Sequence, residues 1–193
     1  MADAQTRLQD CERQHGQLMA LHAISEAVNR SLDLDALLEM ALERVLDVLR
    51  LDAGDVRLVQ DGRLVLRAAR AVSADFVAAE TSVPVGFCQC GRAAQAGEVL
   101  VVEDLAERPE LAHIRCACER FAAVLSVPIR TTERVVGLIH VAGRAPRAFD
   151  VADRELLKAI GEQIGVAIER AQFHAQLVAL NATLEARVAE RTR

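Results

Sequence analysis

Four thiols carry the chemistry that can be read most directly from this sequence. Cys88 and Cys90 stand one residue apart in Val85-Gly86-Phe87-Cys88-Gln89-Cys90-Gly91, at the mouth of an expected short helix. Cys116 and Cys118 repeat that spacing after residues 91–115. Four thiolates can hold a tetrahedral zinc or an iron–sulfur cluster. A helix N-terminus lowers the pKa of a nearby thiol and so favours the ligating, nucleophilic form. The expected cofactor and metal set is therefore Cys88, Cys90, Cys116 and Cys118, with His113 as a substitute ligand three residues before Cys116. Geometry sets a condition on it. In a helix Cys116 and Cys118 would lie ~200° apart around the axis, so a four-ligand site requires 115–119 to be non-helical. Two other readings stand beside the metal: a thiol redox switch, and cysteines that only pack as small buried hydrophobes. Cys11, in a polar N-terminal stretch, reads as a bystander. His140 falls inside an expected strand, where it faces a ligand pocket or is satisfied within the sheet. Gly86, Gly91 and Gly97 are spaced by five and six residues, which fits neither nucleotide-loop pattern; they read as turn and cap residues.

The elements that must position these groups follow from periodicity. Leu18, Leu21, Ile24 and Val28 recur at helical spacing within 17–29. Asp33 can cap a second helix with Leu37, Leu38, Ala41 and Val45 on its buried stripe. The period then changes to two, and Asp61-Gly62 between the alternating runs specifies a tight hairpin, because both positions tolerate positive φ. A short helix is expected over 73–80, an extended segment over 81–84, a helical turn over 92–96 closed by Gly97, and a buried strand over 99–102. Residues 110–120 read as weakly helical. Strands over 122–130 and 134–142 follow, and Asp150 with Asp153 marks the start of a long helix. If that helix runs unbroken from Val151 to Arg193 it is about 65 Å long at ~1.5 Å per residue and must project beyond the domain. Phe173, Leu177, Leu180, Leu184 and Val188 give it a seam of coiled-coil type, which calls for a partner, most simply a second copy. The pattern breaks off without a capping signal, as expected of a piece of something longer.

The chain thus reads as an α+β fold, a mostly antiparallel sheet with helices on one face and long N- and C-terminal helices. Its divisions are a polar tail over 1–16, a domain over 17–170 and a coiled-coil linker helix over 171–193. Composition narrows the function. Apolar residues make up 52% of the 193 residues, enough for a core, and the net charge of −5 comes with no basic run. This argues against a nucleic-acid partner. No apolar stretch approaches the ~18–20 residues of a membrane span, and the N-terminus lacks a signal-peptide core. A cytoplasmic location is expected, where five cysteines serve as reduced thiols, ligands or switches rather than structural disulfides.

Between about Leu21 and Glu169 the sequence resembles the GAF family of small-molecule and redox sensor domains. The likeness rests on Val85-Gly86, Cys90-Gly91-Arg92-Ala93-Ala94 with Gly97-Glu98, and Val101-Val102-Glu103-Asp104. It continues through Ser126-Val127-Pro128-Ile129, Val136-Gly137-Leu138-Ile139, and Phe149, Asp153 and Leu157. Residues 180–192 are similar to the linker that joins sensor domains to histidine kinase modules. The resemblance implies a sensory domain of a two-component protein, homodimeric through its terminal helices, with a kinase-like output domain. Some GAF sensors carry a Cys-x-Cys-Gly stretch with a further cysteine before the Pro-bearing strand, which Cys88, Cys90 and Cys116 match. One branch of the family reduces free methionine sulfoxide. Cys90-Gly91 and His113-Ile114-Arg115-Cys116 look similar to its cysteine motifs, whereas Leu138-Ile139-His140-Val141 replaces its acidic strand. A GAF domain binding a small organic ligand, with incidental cysteines, is the other alternative.

Overall fold

The computed structural model describes residues 2–30, 33–111 and 119–191. Helix α1 (Ala2–Arg30) and helix α2 (Leu34–Leu49) are followed by strands β1 (Ala53–Gln60) and β2 (Arg63–Arg70). Then come α3 (Ala74–Ala79), β3 (Ser82–Pro84), α4 (Cys88–Ala96) and β4 (Leu100–Val102). Two 3-10 turns (Leu105–Glu107 and Pro109–Leu111) lead on to β5 (Ala123–Arg130), β6 (Val135–Gly143) and α5 (Val151–Arg191). The six strands form one antiparallel sheet in the order β3-β2-β1-β6-β5-β4.

Local chemistry accounts for most boundaries. Asp33 accepts a hydrogen bond from the Ala36 amide and so caps α2. Ser73 does the same for α3 through the Phe76 amide, and the Asp150 carboxylate accepts from the Asp153 amide at the start of α5. Asp61 and Gly62 turn the β1–β2 hairpin with φ of 48° and 74°, the double left-handed geometry that matches strand twist. Two starts lie earlier than periodicity suggests. The first helix begins at Ala2 rather than in the neighbourhood of Gln17, so residues 2–16 continue a helix whose apolar stripe begins only later. Helix α4 begins at Cys88 rather than Arg92, which places both cysteines in its first turn.

The sheet has two unlike faces because side chains alternate along each strand. Val56, Leu58, Leu125, Val127, Ile129, Ile139 and Val141 face the layer of α1, α2 and α5, meeting Ile24, Leu38, Leu42, Leu157, Ile160 and Ile164 in the main core. Burying each such side chain contributes about 1.5–3 kcal/mol. Helix α5 can lie close against β5 because a Cβ at Gly165 would sit 2.0 Å from the Arg130 carbonyl oxygen. Its buried stripe ends near Ile168, and the side chains of 172–183 are exposed. The other face of the sheet carries α4, whose Cys90, Ala93 and Ala94 pack on Leu64 and Leu138.

Candidate functional site

The second face is where polar side chains are buried. Asp55, Arg57, Ser126 and His140 are each at most 2% exposed, and the ladder pairing aligns them. Asp55 is the partner of His140 across β1–β6, and Ser126 is the partner of His140 across β5–β6. Ser126 Oγ lies 2.9 Å from His140 Nδ1 and donates to Cys90 Sγ at 4.0 Å. A row Asp55, His140, Ser126, Cys90 therefore crosses three strands and ends on α4. At its far end Arg57 Nε donates to Asp55 Oδ1 at 2.6 Å, and a terminal nitrogen of its guanidinium donates to the Glu80 carbonyl at 2.8 Å. The guanidinium lies over the Phe76 ring, 6.0 Å from its centroid.

These groups set one another's charge. Burial opposes the Arg57 charge most, but Asp55, Cys90 and Glu80 together more than offset it and keep the guanidinium firmly protonated. Burial pushes His140 below the usual histidine range, with Arg57 adding to the effect and Asp55 opposing it, so the imidazole is neutral at pH 7. Asp55 Oδ2 is buried and accepts no hydrogen bond among the described residues. A buried acceptor left without a donor costs free energy.

Cys88 occupies the other edge of the site. It adopts φ of 51°, a left-handed conformation that non-glycine residues rarely take. Its thiol is pulled down to about 7, chiefly by a hydrogen bond from Cys90, with the Gly91 and Cys90 amides helping and burial opposing. Half-buried Cys88 lines a cleft of about 610 Å³ together with Phe87, Gln89, Arg92, Leu100 and Arg108. Buried Gln89 points its amide nitrogen at the Leu100 carbonyl at 3.4 Å.

Of the four expected thiols, Cys88 and Cys90 fall within the described residues. Both stand in the first turn of α4, Cys88 half-buried and Cys90 buried. Cys116, Cys118 and His113 lie outside the described residues. Among the described residues no three His, Cys, Asp or Glu side chains are grouped to hold a metal ion. Cys11 is exposed on α1. His140 is buried on the polar face with Ser126 Oγ 2.9 Å from its Nδ1, the satisfied sheet histidine of the two sequence readings. Asp55, Arg57, Glu80 and Ser126 escaped the sequence reading. For Asp55, Arg57 and Ser126 the signal, a shared strand parity with His140, exists only once the pairing is known; Glu80 joins them from the C-terminal end of α3.

Comparison with known proteins places this arrangement in context. A family model described as GAF domain matches residues 31–169. The chain is 27% identical over 159 residues to the sensor histidine kinase YhcY of Bacillus subtilis, covering 79% of this chain and 42% of that protein. It is 30% identical over 202 aligned positions to the circadian input-output histidine kinase CikA of Thermosynechococcus vestitus, covering 94% of this chain and 27% of that protein. The chain thus spans less than half the length of either kinase. Among solved structures, the GAF domain of a phosphoenolpyruvate-protein phosphotransferase from Coxiella burnetii matches with a TM-score of 0.73 at 19% identity, covering 84% of this chain and 98% of that one. The free methionine-R-sulfoxide reductase of Neisseria meningitidis, in complex with its substrate, matches with a TM-score of 0.70 at 21% identity, covering 82% and 91%. Among the described residues no helix is long and apolar enough to cross a membrane.

Proposed function

The chain belongs to the GAF domain family, and we propose that it is the sensory part of a signalling protein of the histidine-kinase type. In this reading the polar face of the sheet, from Asp55 to Cys88, receives a small ligand or a redox signal. The observation that carries it is the buried row Asp55–His140–Ser126–Cys90, which gives the sheet more polar chemistry than folding alone requires and ends beside the cleft at Cys88. The signal passes through β5 and β6 to α5, whose first half packs on the opposite face. The exposed Phe173, Leu177 and Leu180 then form a dimer seam with a second copy, and a shift at that seam is the bistable element that a kinase-like output domain reads. A thermal-shift screen of small metabolites checks the sensing step. A ligand that stabilises the native chain and fails on a His140→Leu variant supports it; equal stabilisation of both places the ligand elsewhere.

The four-thiol form of this reading completes Cys88 and Cys90 with Cys116 and Cys118, His113 substituting, around zinc or an iron–sulfur cluster. The placement of Cys88 and Cys90 together in the first turn of α4 favours it. Anaerobic purification with metal analysis and a visible spectrum tests it, and protein free of zinc and of visible absorption after reconstitution sinks it. A second activity, reduction of free methionine sulfoxide, is favoured by the lowered thiol of Cys88 at the mouth of a cleft. Thiol-dependent loss of methionine sulfoxide in a purified-protein assay would establish it.

A further inference from the structure

A second cleft of about 610 Å³ lies in the helix layer, where α1, the C-terminal end of α2 and the first turn of α5 meet. Its volume suits a small metabolite. Glu12, Arg13, Asp47, Arg50, Arg147 and Asp153 bring six charges to its walls. Two of the three guanidiniums are engaged in holding the fold. Arg13 donates to Asp150 Oδ2 at 2.5 Å. Arg147 donates to Asp153 Oδ2 at 3.1 Å and to the Leu49 carbonyl. Glu12, Asp47 and Arg50 are exposed and make no side-chain hydrogen bond or ion pair among the described residues. Arg50 stands at the left-handed C-cap of α2 with φ of 51°, a place where glycine is the usual residue. Two carboxylates and one guanidinium are thus open to a ligand.

Asp153 adds an acceptor at the base of the cleft. The residue is 1% exposed, and its Oδ1 is buried with no hydrogen bond among the described residues. The Arg13 guanidinium, 3.8 Å from that oxygen, is too far away to supply one. A buried carboxylate oxygen in this state is costly, and a donor entering the cleft would remove the cost.

We propose that this cleft binds a basic α-amino acid. The ammonium donates to Asp153 Oδ1, the carboxylate pairs with Arg50, and the side-chain cation lies between Glu12 and Asp47. At neutral pH such a molecule carries two cations and one carboxylate, the complement of the open charges on the walls. Charge matching of this kind selects a partner more than it adds affinity. A neutral amino acid leaves Glu12 and Asp47 without a counter-charge, and an acidic one sets like charges together. The position also has a mechanical consequence. Helices α1 and α5 run side by side in the same direction, since Arg13 meets Asp150 near one end and Arg170 donates to the Val28 carbonyl at 3.1 Å near the other. A ligand held by Glu12 and Asp153 ties α1 to the start of α5, a second input to the helix pair. The site is separate from the polar face of the sheet and does not rest on the sensing reading.

Isothermal titration calorimetry of the native chain at low ionic strength tests this, with L-lysine and L-arginine as probes. L-Alanine, L-glutamate, cadaverine and agmatine are the controls. One equivalent of a basic amino acid should bind at least about tenfold more tightly than any control. Arg50→Ala should weaken that binding about tenfold and leave the decarboxylated counterpart unchanged, because the latter has no carboxylate to lose. Glu12→Gln combined with Asp47→Asn should weaken both. These side chains are exposed, so the variants keep the native fold. Binding as tight as native in all of them overturns the proposal, as does the absence of binding by either probe at millimolar concentration. Binding lost in His140→Leu but intact in the cleft variants places the ligand on the sheet and also overturns it. The bound amino acid should slow hydrogen exchange in α1 between Cys11 and Leu18; unaltered exchange there contradicts the site.

Discussion

Ser126 and His140 face each other across the β5–β6 ladder with Oγ 2.9 Å from Nδ1, and both are sealed from solvent. The burial of His140 makes stability depend on pH. Burial holds the native imidazole neutral, while the unfolded chain takes up a proton near pH 6.5. The unfolded state therefore binds more protons below that pH, and stability falls as pH drops, by up to about 1.4 kcal/mol per unit until the native histidine also titrates. A His140→Gln variant should lack this component. Urea midpoints at pH 7 and pH 5 check it, and equal losses in both proteins would contradict it.

Cys88 titrates in the same sense at higher pH. Its native value of about 7 lies below that of an unfolded thiol, so it contributes stability that is present above about pH 8.5 and lost as pH falls through 7. In metal-free protein, alkylation of Cys88 should rise with pH to a midpoint near 7. A Cys90→Ala variant, lacking the donating thiol, should move that midpoint upward; an unchanged profile would show that Cys90 does not stabilise the thiolate.

Arg57 and Asp55 are a buried ion pair, 1% exposed on both sides. An Arg57→Met variant leaves Asp55 charged in the sheet and should lose about 3–5 kcal/mol. The double variant Asp55→Leu with Arg57→Met should recover most of that loss. Guanidinium denaturation of the three proteins measures the difference, and additive losses would contradict the pairing argument.

Gly165 lets α5 lie against β5. A Gly165→Ala variant puts a methyl 2.0 Å from a carbonyl oxygen and should cost about 1–3 kcal/mol by overpacking. Gly62→Ala places its methyl in open space and strains only the φ of 74°, about 1 kcal/mol. Thermal melts rank the two, and the reverse order would place α5 further from the sheet.

Phe173, Leu177 and Leu180 stand 55–62% exposed along one α5 seam. The dimer account expects Leu177→Glu combined with Leu180→Glu to give monomers by sedimentation while leaving the thermal melt of the domain unchanged. A native chain that already sediments as a monomer at micromolar concentration removes the seam from the mechanism.

The elements were legible in the sequence because local chemistry fixes them: Asp33, Ser73 and Asp150 cap helices, and Asp61-Gly62 turns the hairpin. Cys88 and Cys90 were legible as a pair. The polar face was not. Arg57 sits between Val56 and Leu58 and looks like the solvated side of a half-buried strand; only the β1–β6 register, with Asp55 opposite His140, shows that it is covered. The early start of α4 was equally hidden, since Phe87 caps it with no side-chain hydrogen bond and Cys88 enters it with a backbone that periodicity does not encode.

The central claim is that events at Cys88, Cys90 and His140 reach α5 through the sheet. Amide hydrogen exchange, followed by mass spectrometry on the reduced chain and on the same chain after peroxide treatment, tests this most directly. The account predicts altered protection in α4, in β5 and β6 around Ser126 and His140, and in α5 between Val151 and Arg170, all absent from a Cys88→Ser variant. Changes confined to α4, with β5, β6 and α5 identical in the two states, would contradict it.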